Sequence, residues 1–102
     1  GGLVVLAMSA MLACGSARAE SKGPLTVLRI FSEGASSAGF YPSENIQGDC
    51  KWNLIYVDMS TPSGRGMFAL LLQAKAQSLS LARVDYIKNN DTTCLLSGLH
   101  VQ

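Results

Sequence analysis

Only one stretch of this chain carries both the start signal and the apolar period of an α-helix. It lies between runs that are strand-length and rich in β-branched residues. Ser60-Thr61-Pro62-Ser63-Gly64 announces the helix. The Thr61 hydroxyl can satisfy a free amide of the first turn, and Pro62 fits the first helical position, where a missing N–H costs nothing. Arg65 to Leu79 continues without proline. At 100° per residue, Met67, Leu70, Leu71, Ala74 and Ser78 fall in one stripe widened by Phe68 and Leu72, with Gly66, Gln73 and Gln77 opposite. One amphipathic helix is expected over about 62–79.

The remaining apolar runs read as strands. Leu25 to Phe31 is aliphatic and β-branched and is broken by Ser32-Glu33-Gly34. Neither of its alternate sets, Leu25/Val27/Arg29/Phe31 or Thr26/Leu28/Ile30, is purely polar, so both faces are expected to be largely covered. A loop rich in Gly, Pro, Ser and Asn follows from Ser32 to Asp49, with a short strand expected around Ala38–Tyr41. Trp52 to Met59 reads as a strand, with Trp52, Leu54 and Tyr56 on one face and Ile55, Val57 and Met59 on the other. Leu81 to Ile87 alternates, Lys88 to Thr93 is a polar turn, and Cys94 to Val101 is a last strand with Gly98 as a bulge position. Glu20 to Pro24 reads as a flexible start. The order implies an α+β domain with a small antiparallel sheet or a partly open barrel, the helix covering one end.

Residues 1–19 have the pattern of a secretory signal peptide. An apolar run from Leu3 to Cys14, broken by Ser9, ends in small residues with Ala17 and Ala19 flanking Arg18. Lipid attachment at Cys14 is the alternative, after Met11-Leu12-Ala13. Residues 20–102 then form a single secreted or periplasmic domain with no membrane association after cleavage. A domain this small buries only about 60–65% of its unfolded surface, so it needs reinforcement. Cys50 and Cys94 are its only cysteines, and an oxidising compartment allows them one bridge.

Charge and chemistry exclude several functions. Residues 20–102 carry seven Lys and Arg and seven Asp and Glu, without a run of like sign. Nucleic acid would call for a clustered basic face. Two cysteines and a single histidine, His100, cannot close a tetrahedral zinc site without carboxylates, so neither metal nor cofactor is expected. No nucleophile stands in a catalytic motif near His100, and no catalytic residue is assigned. Trp52, Tyr56 and Tyr86 are the aromatics able to stack on a sugar ring, although strand aromatics more commonly pack in a core. Loops on a rigid sheet are the first place to expect a binding surface. Ser36, Ser37, Tyr41 and Glu44, with Trp52, are the candidate binding residues.

The block from Gly48 to Gln102 resembles small bacterial secreted domains of the oligonucleotide/oligosaccharide-binding (OB) type. The likeness runs through Gly48-Asp49-Cys50-Lys51-Trp52, Ile55-Tyr56-Val57-Asp58, Thr61-Pro62-Ser63-Gly64-Arg65-Gly66-Met67-Phe68, Leu70 to Ala76, and Val84-Asp85-Tyr86 to Thr93-Cys94. Among such domains are the receptor-binding B subunits of subtilase-type and related toxins, in which a five-stranded barrel with a helix binds host glycans as a ring. The resemblance is one of layout over about half the chain, so no sugar-contacting residue is carried over. It implies an OB-like barrel, a non-enzymatic binding module for a glycan or a protein, and a homo-oligomer. The alternative is a periplasmic structural or interaction protein.

Overall fold

The structure, a computed structural model, describes residues 17–102. The leader up to Ser16, with Cys14, lies outside the described residues. Among the described residues, six strands and one helix follow in the order β1 (Arg18–Lys22), β2 (Val27–Glu33), β3 (Ser37–Pro42), β4 (Ile55–Asp58), α1 (Pro62–Ala76), β5 (Leu81–Lys88) and β6 (Cys94–Val101). A short 3₁₀ turn, Lys51–Asn53, precedes β4. The fold is α+β.

The strands form one sheet in the order β1-β5-β6-β4-β3-β2. Neighbours are antiparallel except β4 and β6, which run parallel through Ile55–Cys94 and Tyr56–Leu95. The sheet is therefore mixed rather than purely antiparallel. A parallel pair needs a long crossover, and α1 with β5 supplies it. The two ends of the sheet, β1 and β2, are halves of one run of chain. Between them Leu25 exchanges backbone hydrogen bonds with Leu81 of β5, at 2.9 and 2.7 Å. That link curls the sheet into a partly open, OB-like barrel with α1 against β2, β4 and β6.

Three local readings change. Glu20 to Lys22 of the expected flexible start, with Arg18 and Ala19 of the expected leader, instead form β1, paired along its length with β5 from Arg18–Lys88 to Lys22–Val84. The expected cleavage position after Ala19 falls within this strand. β4 begins at Ile55 rather than Trp52, because Trp52 and Asn53 adopt positive φ angles of 60° and 57° that no strand accommodates. The helix ends at Ala76. Its C-terminus is a Schellman-type closure in which Leu79 N–H bonds the Ala74 carbonyl at 2.8 Å and Ser78 N–H the Lys75 carbonyl at 3.3 Å. Ser78 occupies the left-handed position, with φ 56°, where glycine is the usual sequence marker.

At the helix start the capping chemistry is as expected: Thr61 Oγ1 accepts from Gly64 N–H at 2.9 Å. The buried helical face is Gly64, Leu71 and Ala74, with Met67 and Phe68 packed partly against the core. Leu70 and Leu72, expected in or beside the stripe, face solvent at 40% and 49% exposure. Gly64 sets this rotation, since a β-carbon there would collide with the Asp58 carbonyl at the end of β4. Phe40, Ile55, Leu71, Leu81, Val84 and Tyr86 form the fully buried centre. Each such side chain contributes about 1.5–3 kcal/mol through burial. The Cys50–Cys94 bridge is present, joining the residue before the 3₁₀ turn to the first residue of β6.

Candidate binding groove

The outward face of β2, β3 and β4 is built by alternation. In β3, Ala38, Phe40 and Pro42 point into the barrel, which sends Ser37, Gly39 and Tyr41 outward. Cross-strand register then sets three rows on that face. Arg29 stands beside Tyr41; Phe31 lies beside Gly39, and Gly39 beside Tyr56; Glu33 stands beside Ser37, and Ser37 beside Asp58.

Gly39 is what lets the middle row close. A β-carbon at Gly39 would lie 3.0 Å from the Phe31 ring and 2.6 Å from the Ile55 carbonyl oxygen. With hydrogen there instead, the Phe31 ring lies across β3 and meets Tyr56 edge-on, at 6.3 Å between centroids. Phe31 also packs against Tyr41, 5.8 Å away. The Arg29 guanidinium sits 5.2 Å from the Tyr41 ring centroid. Such a cation–π contact contributes about 0.5–1 kcal/mol at an exposed site.

A groove of about 420 Å³ runs over these residues, lined by Arg29, Phe31, Glu33, Ser37, Tyr41, Trp52, Leu54 and Tyr56. Its volume falls in the range of small-molecule sites. Its floor is aromatic and its polar groups are spread along its length, with the cation Arg29 and the acid Glu33 in the outer rows of the face. None of the ion pairs among the described residues involves Arg29 or Glu33.

Trp52 enters the groove from the 3₁₀ turn and is 60% exposed. The turn is fixed on every side. Cys50 is bonded to Cys94, and Lys51 N–H bonds the Thr92 carbonyl at 2.8 Å. The Asn53 side chain accepts from Ile46 N–H at 2.6 Å and donates to the Pro42 and Glu44 carbonyls at 3.2 and 3.0 Å.

Ser37, Tyr41 and Trp52, three of the five expected binding residues, meet in this groove. Ser36 lies at the β2–β3 turn, exposed and off the lining. Glu44 accepts from the Thr26 amide and hydroxyl at 2.8 and 3.0 Å, fastening the loop after β3 to the start of β2. Burial acts to raise the Glu44 pKa, but these hydrogen bonds outweigh it and hold the carboxyl below its ordinary value. Arg29, Phe31, Glu33 and Leu54 are the groove residues that sequence reasoning left out; Tyr56 was expected only as a stacking aromatic. Tyr86 is core, its hydroxyl donating to Asp49 at 3.2 Å.

Elsewhere, Asp49 is bridged by Lys22 at 2.8 Å and Lys88 at 3.5 Å, which clamps the loop to β1 and β5. The Lys22 bond, first among several causes, lowers its pKa against the opposing effect of burial. Among the described residues no cluster of three His, Cys, Asp or Glu side chains is placed to hold a metal ion. The chain is matched by no protein-family model, no curated protein and no solved structure.

Proposed function

We propose that the protein is an exported, non-enzymatic binding module whose groove over β2, β3 and β4 takes a glycan. The observation that carries this reading is the half-buried aromatic platform of Phe31, Tyr41 and Tyr56, flanked by the exposed Trp52 and studded with Arg29, Glu33 and Ser37. Sugars present flat C–H faces edged by hydroxyls, and such a platform supplies both complements. On OB-type barrels, this face is where oligosaccharides and oligonucleotides bind. A nearly neutral chain favours the sugar, since phosphate backbones select for clustered cations. Export is supported by the buried Cys50–Cys94 bridge, which persists in oxidising compartments. No helix among the described residues is long and apolar enough to cross a membrane.

Glycan-array binding by the oxidised protein tests the reading. Binding is expected, and it should be lost in Tyr41→Ala while the far-UV spectrum and the disulfide are retained. A silent array, or binding that survives this substitution, would overturn it. A second reading, an interaction protein, is favoured by Leu28, Leu70 and Leu72, which are exposed outside the groove. Light-scattering mass separates the two: a closed ring supports a receptor-binding subunit, and a monomer that captures a protein partner supports the alternative.

A further inference from the structure

We infer that Trp52 determines the affinity of the groove, and that the chain holds it in an unfavourable backbone conformation so that its indole closes over a pyranose ring lying on Phe31, Tyr41 and Tyr56. The inference rests on the glycan reading of the groove and names the residue that grips the ring.

The argument starts from the backbone. Trp52 has φ 60° and ψ 15°, and Asn53 follows at φ 57°. Asparagine visits this left-handed region readily, but for a bulky residue such as tryptophan it is a genuine outlier. Burial of the indole does little to offset this strain, because the side chain is 60% exposed. Glycine would satisfy the turn with no steric cost. Folding therefore has no evident use for tryptophan at this position, whereas the groove does. Strained residues over-determined by their surroundings concentrate at ligand sites, and the disulfide, the Asn53 hydrogen bonds and the Lys51–Thr92 bond supply that over-determination.

The ring chemistry agrees. The Lys51 ammonium lies 4.8 Å from the Trp52 ring centroid and so occupies one face of the indole. The opposite face is left for the C–H face of a sugar, whose hydroxyls would then meet Ser37, Glu33 and Arg29 around the same groove.

The test compares the full oxidised chain with Trp52→Gly and Trp52→Phe in two measurements. One is the denaturation midpoint. The other is binding of methyl β-galactopyranoside and methyl β-glucopyranoside by saturation-transfer NMR and titration. Trp52→Gly is expected to unfold at the same or a higher denaturant concentration than the parent, while its affinity for the methyl glycosides falls roughly tenfold or more. Trp52→Phe should retain most of the binding. A lower midpoint for Trp52→Gly would show that the indole serves the fold, and unchanged glycoside binding would show that it grips nothing; either overturns the inference. Failure of the parent protein itself to bind either glycoside counts against the glycan reading and removes the inference with it, a result distinct from binding that is indifferent to Trp52.

Discussion

Replacing Cys50 and Cys94 together by alanine should remove roughly two-fifths to four-fifths of the stability of this domain. The two cysteines are 44 positions apart, so the bridge closes a loop of about 45 residues. In the chain-entropy description the closure withholds about 13 cal/mol/K from the denatured ensemble, or roughly 4 kcal/mol at 25 °C. Small domains have about 5–10 kcal/mol in all. Both residues are fully buried, and alanine leaves only a small void at each, so the entropic part should dominate. Urea unfolding followed by far-UV circular dichroism measures the difference. For a chain of this length the midpoint should fall by roughly 2–4 M. There is a local consequence too. Cys94 opens β6 and Cys50 precedes the turn that carries Trp52, so the folded fraction of the double variant should also lose order in the groove. A stability loss under about 1 kcal/mol would refute the reasoning, because it would mean that the denatured chain is already confined without the bridge.

Three further outcomes follow from single contacts. Gly64→Ala should lose about 1–3 kcal/mol in calorimetric unfolding, because its methyl meets the Asp58 carbonyl; a gain, as helix propensity alone dictates, would contradict that contact. Thr61→Ala should lose about 1 kcal/mol with the cap to Gly64 N–H, read as a lower thermal midpoint. Asp49→Asn should flatten the acid limb of the stability–pH profile. The Lys22 bond lowers the folded pKa of Asp49 below its ordinary 3.8, so the ionised carboxylate stabilises the fold above that pH. The contribution fades as pH falls through the lowered value; identical acid limbs in parent and variant would exclude this role.

What the sequence disclosed depended on whether the governing interactions were local. Thr61 and Pro62 locate the start of α1 to the residue because capping is chemistry within one turn. The end was overshot because Ser78, not glycine, takes the left-handed position that closes the helix. β1 was invisible for the opposite reason: Arg-Ala-Glu-Ser-Lys has no apolar alternation, and its extended form comes from pairing with β5. Trp52 falls in period with Leu54 and Tyr56, but the side chain of Asn53 engages three backbone groups of residues 42–46 and breaks that period.

The groove itself was half legible. Tyr41 and Ser37 stand out as an aromatic and a hydroxyl beside a loop. Arg29 and Phe31 did not, because simple alternation groups them with Val27, which is a core residue. The pairing shows why. Val27 stands opposite Pro42 and Arg29 opposite Tyr41, so Leu28 is an extra residue between them. A bulge of one residue moves everything beyond it to the other face of the strand. Leu28, left over by the bulge, is 58% exposed. The two apolar-looking faces read from Leu25 to Phe31 are therefore one buried face and one outward face that lines the groove, exchanged at Leu28. An arginine and a glutamate four positions apart, Arg29 and Glu33, with an aromatic midway between them, are the sequence signal that could have betrayed the switch.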